Sequence, residues 1–172
     1  MNIFMIGFMG CGKSTVGKKL AKELRLQFID LDKYIINKHQ KAISDIFDTE
    51  GESGFRMKES EALREVCTKT DLVVSTGGGT PCYEDNMKFI NENGISIYIE
   101  MNPAALLNRL KNSKAERPLI NNMNDEELSG FIAEKLEERL EYYNSANIKV
   151  DGINLNANIL FKEIDKFLSK KD

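Results

Sequence analysis

The chain contains no tryptophan, one histidine, three prolines and three cysteines in 172 residues. A single histidine, His39, leaves little scope for imidazole acid–base chemistry or a histidine-rich metal site. The cysteines, Cys11, Cys67 and Cys82, are odd in number and lack C-x-x-C spacing. That argues against a disulfide framework or a thiolate zinc site and suits a reducing, cytoplasmic compartment. No apolar run reaches the roughly 18–20 residues of a membrane helix, and no leader-like pattern opens the chain. Neither membrane insertion nor secretion is expected. A basic excess is missing too, since 24 Lys+Arg against 27 Asp+Glu leave a net charge of −3. General nucleic-acid and membrane-surface binders usually show the opposite imbalance. Arginine is scarce, with six residues at positions 25, 56, 64, 109, 117 and 139. Its planar fork suits bidentate recognition of phosphate and carboxylate, so the placement of those six matters to any anion site.

What remains is ordinary globular material, 41% hydrophobic and 30% charged. The length predicts one domain with a core of its own. Short apolar runs at Asn2–Ile6, Gln27–Ile29, Asp71–Ser75, Ile95–Glu100 and Asn147–Val150 read as five strands. Between them lie helical patterns: Lys13–Leu24, two short helices within 31–50 with Ser44 as N-cap of the second, then Gly54–Cys67 and 83–92. Asn102-Pro103 starts another helix, Asn124 and Glu127 form a capping box, and Ile159–Leu168 closes the chain. The helix after the capping box carries an apolar stripe at Leu128, Ile132, Leu136 and Leu140. Strands alternating with helices predict βαβ units: an α/β fold whose parallel sheet is covered on both faces, with its site at the carboxyl edge.

One motif is specific. Gly7-Phe8-Met9-Gly10-Cys11-Gly12-Lys13-Ser14 matches G-x-x-x-x-G-K-[ST] between a predicted strand and a predicted helix. Backbone N–H groups of such a loop cradle phosphates, and the helix N-terminus adds partial positive charge. Lys13 reaches the β- and γ-phosphates, and Ser14 offers its hydroxyl to Mg²⁺. A nucleotide-binding protein is therefore expected. Many such proteins place a metal-directed Asp at the end of a later strand, but here Leu72-Val73-Val74 runs into Ser75-Thr76-Gly77-Gly78-Gly79. Asp30-Leu31-Asp32, at the end of the second strand, offers two carboxylates instead. Two-residue spacing in a strand would put both on one face, one beside Mg²⁺ and one beside an acceptor hydroxyl.

Two look-alikes of GTPase motifs fail on context. Asp48-Thr49-Glu50-Gly51 follows helical rather than strand spacing, and Asn147-Ile148-Lys149-Val150-Asp151 separates Asn from Lys by one residue. A small-molecule kinase fits better, because further clusters suit an anionic, hydroxylated acceptor. In Phe55-Arg56-Met57-Lys58-Glu59, Glu59 interrupts an apolar stripe and Arg56 lies within helical reach of it. Held that way, Arg56 could present its fork to a carboxylate. The triple glycine at 77–79 carries an entropic cost unless backbone must come close to something. Arg139 flanks an apolar stripe and by itself reads as a surface residue. The polar stretch 112–123 holds Arg117-Pro118 and suits a segment closing over phosphates to exclude water.

Taken in order, G-F-M-G-C-G-K-S-T, F-I-D-L-D, G-F-R-M-K-E, S-T-G-G-G-T, R-P-L and R-L-E-Y-Y-N-S-A resemble shikimate kinase, a P-loop kinase of the nucleoside-monophosphate-kinase type, over residues 3 to about 151. The resemblance implies a three-layer αβα fold with strand order 2-3-1-4-5. It further implies one P-loop kinase domain over 1–172, an acceptor-binding region at about 31–60 and a mobile lid at about 112–124. The implied reaction is ATP-dependent phosphorylation of the 3-hydroxyl of shikimate, on the chorismate route to aromatic amino acids. Gly10, Cys11, Gly12, Lys13, Ser14 and Thr15 would bind ATP, Arg109 would pack on adenine, and Ser14 and Asp30 would serve Mg²⁺. Asp32 would meet the acceptor hydroxyls as base or orienting group. Arg56 and Arg139 would hold the carboxylate, with Gly77, Gly78 and Gly79 lining that pocket. Lys13 and Arg117 would stabilise the transferring phosphoryl. Partners would be small molecules only, with no nucleic acid or membrane, and the chain a monomer. Other readings compatible with these residues are a gluconate-type sugar-acid kinase and a nucleotide-dependent switch without transfer. Two departures from the family pattern are Glu141, where a Pro is usual, and the absence of Pro from Gly152–Asn158.

Overall fold

In the computed structural model, which describes residues 1–113 and 120–170, a five-stranded parallel sheet runs in the order β2-β3-β1-β4-β5. The strands are β1 (Ile3–Ile6), β2 (Gln27–Asp30), β3 (Leu72–Ser75), β4 (Ile95–Glu100) and β5 (Ile148–Asp151). Helices fill the connections: α1 (Lys13–Leu24), α2 (Leu31–His39), α3 (Ile43–Val66), α4 (Asn86–Asn93), α5 (Pro103–Lys111), α6 (Asp125–Asn144) and α7 (Ala157–Leu168). No helix among the described residues is long and apolar enough to cross a membrane.

Side chains of a strand alternate between faces, and β1 shows why this sheet needs a layer on each side. Ile3 and Met5 enter a core with Val16 and Leu20 of α1, Leu106 of α5, Leu128 and Ile132 of α6, and Leu160 and Ile164 of α7. Phe4 and Ile6 enter the opposite core with Leu31 and Ile35 of α2, Phe55 and Leu63 of α3, and Ile90 of α4. All four β1 side chains are fully buried. The three-layer αβα expectation and the strand order both hold.

Three local readings are corrected. Asp30 ends β2 and caps α2, its Oδ1 accepting from Lys33 N at 3.3 Å, while Asp32 lies in the first turn of that helix. The two carboxylates thus meet across a strand–helix junction and not on one strand face. Ser44 caps nothing, because α3 opens at Ala42, whose carbonyl accepts from Ile46 N at 3.1 Å. This helix changes direction at Gly51, where φ is 71°. Leu140 is 38% exposed. Steps of four residues advance an α-helical stripe by roughly 40° each, so Leu140 has turned about 120° from Leu128. Arg139 and Tyr143 fall back onto the buried side, at about 20° and 60°. Tyr143 belongs to the second core and Leu136 packs on both, so α6 crosses the molecule from one layer to the other. The predicted helix at 83–92 is present as α4 (Asn86–Asn93), starting three residues later, after a 3-10 turn at Thr80–Cys82.

Candidate active site

Parallel pairing aligns the carboxyl ends of the strands. Asp30 is in register with Ser75, and Ser75 with Met5, so β2, β3 and β1 end side by side. The connection leaving β1 runs to β2 on one side of the sheet and that leaving its neighbour β3 runs to β4 on the other, so the phosphate loop opens at the usual crevice for a ligand in an open α/β sheet. Thr76 secures this edge, its N–H and its hydroxyl both donating to Met5 O, at 3.2 and 3.0 Å.

The phosphate loop has positive φ at Gly7, Gly10 and Gly12 (144°, 82° and 101°), a conformation that side chains other than glycine rarely take. Lys13 Nζ is buried and donates to Gly7 O at 2.7 Å and Phe8 O at 2.9 Å. Ser14 Oγ donates to Asp30 Oδ2 at 2.8 Å and lies 3.0 Å from Ser75 Oγ. Arg109, reaching over from α5, donates to Cys11 O and Gly152 O at 3.1 and 3.2 Å, joining the phosphate loop to the turn after β5. Gly10, Gly12, Lys13, Ser14, Thr15 and Arg109 border one cavity of about 330 Å³. Cys11 is buried beneath the loop and does not border it.

The opposite wall of that cavity is formed by Asp32, Gly77 and Gly78. Burial, reinforced by the charges of Glu59 and Asp30, pushes the Asp32 carboxyl up from 3.8 to about 6, against the pull of Lys13 and Arg56. At neutral pH it is a carboxylate with a basicity suited to accepting a hydroxyl proton. Glu59 is fully buried. Its Oε2 accepts from Arg56 Nη1 at 2.7 Å, and its Oε1 accepts from Thr80 Oγ1 at 2.5 Å. Burial works against the charge on Arg56, but Glu59 and Glu52 together hold its pKa above the ordinary value. The triple glycine follows from contact: a Cβ on Gly79 would overlap the Arg56 guanidinium, and one on Gly77 the Glu59 carboxylate.

Arg139 completes this side. Its guanidinium lies 5.5 Å from the Phe8 ring centroid, and its Nη1 is buried with no hydrogen-bond partner. A Cβ on Gly78 would sit 3.1 Å from that nitrogen. Tyr143, one helical turn later, donates from its hydroxyl to Gly78 O at 2.6 Å. Arg139 is thus no plain surface residue; it aims a buried cationic nitrogen at the triple glycine. Arg117 lies outside the described residues.

Four residues at the site escaped sequence reading: Ser75, Thr80, Tyr143 and, as more than a partner for Arg56, Glu59. Ser75 had a signal, since it occupies the strand end where a metal-directed Asp is common. His39, isolated in a polar helix, has its Nε2 covered.

The donors around Ser14 fit a magnesium ion. Mg²⁺ takes hard oxygen ligands, keeps several waters and shares phosphate oxygens, so a hydroxyl and one carboxylate are an adequate protein contribution. No group of three or more His, Cys, Asp or Glu side chains poised for a metal exists among the described residues.

Known proteins match this chain in sequence and in fold. A family model described as "Shikimate kinase" matches residues 9–169. The shikimate kinase of Phocaeicola vulgatus is 47% identical over 144 residues, spanning 84% of this chain and 82% of that one. A crystal structure of shikimate kinase from Bacteroides thetaiotaomicron superposes with a TM-score of 0.86 at 40% identity, over 88% of this chain and 86% of its own. Shikimate kinase from Acinetobacter baumannii, solved in complex with shikimate, gives a TM-score of 0.87 at 32% identity over 99% and 94%.

Proposed function

This chain belongs to the shikimate kinase family, and we propose that it transfers the γ-phosphoryl of ATP to the 3-hydroxyl of shikimate. The observation that carries the reading is a single cavity with the phosphate loop on one wall and a raised-pKa carboxylate, Asp32, on the other. Family membership favours shikimate over a sugar acid as acceptor, and a transferase over a switch.

The residues divide the work as follows. Backbone N–H groups of Gly10, Gly12 and their neighbours bind the phosphates of ATP, and Arg109 flanks the nucleotide where the turn after β5 approaches. Ser14 and Asp30 would hold Mg²⁺, which would supply positive charge to offset that of the ATP phosphates. Arg56 and Arg139 receive the shikimate carboxylate on either side of the triple glycine. Glu59 keeps Arg56 ionised and oriented, and the unpartnered Nη1 of Arg139 gains an anion. Asp32 accepts the proton of the attacking hydroxyl as its oxygen bonds to the γ-phosphorus and the bond from phosphorus to the ADP oxygen breaks. Lys13 stabilises the charge on the transferring group. Arg117, by its place in the family pattern, reaches the same group from a lid at about 112–124. The protein works as a cytoplasmic monomer on small molecules.

The test is direct. Protein incubated with Mg-ATP should release ADP only when shikimate is present, and the product should be shikimate phosphorylated at the 3-position by NMR. Nucleotide binding without shikimate-dependent ADP release, or an equal response to gluconate, would sink the reading.

A further inference from the structure

We propose that Asn86 is a positioning residue for the acceptor pocket: it locks α3 to the turn that follows the triple glycine and so sets the affinity for shikimate. Asn86 opens α4 and makes no contact with the cavity. It is nevertheless fully buried and all its amide atoms are used. Its Oδ1 accepts from Ser60 Oγ at 2.8 Å and from Arg64 Nη1 at 2.8 Å, both on α3. Its Nδ2 donates to Thr80 O at 2.9 Å.

The two groups it joins are the two that shape the carboxylate pocket. Ser60 follows Glu59, whose carboxylate orients Arg56. Thr80 follows Gly79, the residue lying against the Arg56 guanidinium. Thr80 is held at both ends, its carbonyl by Asn86 and its hydroxyl by Glu59, and its N–H donates to Gly77 O at 3.2 Å to close the glycine turn. Asn86 therefore closes a loop of contacts running Asn86–Ser60–Glu59–Thr80–Asn86. Break it, and α3 and the glycine turn keep only the Glu59–Thr80 bond between these polar groups. Arg56 then loses its fixed distance to the turn. Arg64 braces the arrangement from outside, pairing with Asp85 at 2.5 Å and lying 4.9 Å from the Phe89 ring centroid.

The inference rests on the proposed activity, and its test separates the two. Asn86→Asp keeps the side-chain shape and the acceptor facing Ser60 and Arg64, but turns the donor to Thr80 O into a second acceptor. A buried hydrogen bond so replaced weakens what depends on it by about tenfold. The expected result is a KM for shikimate raised about tenfold, a KM for ATP within twofold of wild type, and kcat changed far less than the shikimate KM. Arg64→Ala, at the partly exposed end of the network, should give the same split at about two- to threefold and covers the case in which Asn86→Asp does not fold. A purely structural role would lower the melting temperature while leaving both KM values in place, or move them together; either outcome in a folded variant overturns the inference. Wild-type protein inactive on shikimate would overturn the proposed function instead.

Discussion

The nucleotide wall and the acceptor wall of the cavity are built by opposite means. The phosphate loop lies on contiguous residues, its shape set by glycine backbone conformations and its donors mostly main-chain N–H groups. The acceptor wall is assembled from side chains on α2, α3, the glycine turn and α6, each braced by a neighbour on another element. Arg56 leans on Glu59, Glu59 on Thr80, Gly78 on Tyr143. A backbone cradle recognises phosphate, which many ligands carry. A braced set of side chains can distinguish one hydroxy acid from another, at the cost of a pocket that fails when any brace is removed.

Asp32 stands on the acceptor wall facing the phosphate loop, and altering it should produce the largest effect. Asp32→Asn removes the proton acceptor, and kcat should fall by about 10²–10⁴ with ATP binding retained. The same change should stabilise the protein. The native carboxyl is raised from 3.8 to about 6, so the folded state holds the proton more tightly than the unfolded state. Stability is then lost as pH rises through that window, and the Asn variant avoids the loss. The expected gain is about 1–2 kcal/mol at pH 8, allowing for partial exposure to the cleft, and close to none at pH 4. Thermal melts at the two pH values check it. In the wild type, kcat/KM for shikimate should fall below about pH 6 as Asp32 is protonated; a flat profile down to pH 5 would deny it the role of base.

The contrast between the walls also explains what could be read from the sequence. The phosphate loop was legible in full because its chemistry is contiguous. Arg56 and Glu59 were legible as a pair because a carboxylate in an apolar helical stripe needs a partner one turn away. Ser75 was missed because its place beside Ser14 depends on the register of β3 with β1 and β2, which is set by residues far apart in the chain. Asp32 reads as a strand residue because two-residue periodicity gives no sign that Asp30 caps a helix. Arg139 reads as a surface residue because a stripe in steps of four ends at Leu140, which has turned away from the buried side. Arg64 showed no role, since its partners Asn86 and Asp85 lie on another helix and no local pattern links them.

The two arginines of the proposed carboxylate clamp sharpen the contrast within one wall. Arg56→Ala leaves Glu59 buried with only Thr80 for a partner, a defect that typically costs about 3 kcal/mol. Arg139→Ala removes a guanidinium whose Nη1 has no partner and should cost less than about 1 kcal/mol. Both should raise the KM for shikimate tenfold or more, since each removes a charged contact to the carboxylate. Denaturant melts paired with kinetics separate the two properties. Equal stability losses would mean that Arg139 is braced as Arg56 is, and an unchanged shikimate KM in both would remove the clamp.

The smallest effect is expected at Tyr143, and it tests whether bracing extends to single hydroxyls. The ring is fully buried, 5.1 Å from that of Tyr98, and burial raises the phenol pKa well above its usual value. The hydroxyl therefore stays protonated and serves as a donor, aimed at Gly78 O. Tyr143→Phe keeps the ring and its packing while leaving that carbonyl short of one hydrogen bond, a loss of about 1 kcal/mol. If the bond only stabilises the fold, the loss appears in the melt and the kinetics stay as they were. If it holds the glycine turn against Arg139, the KM for shikimate should rise about two- to fivefold while the KM for ATP does not move. A matched rise in both would show that Gly78, on the acceptor wall but close to Met9 N and Gly7 O of the phosphate loop, is shared by the two ligands, and that the division between backbone cradle and braced pocket ends there.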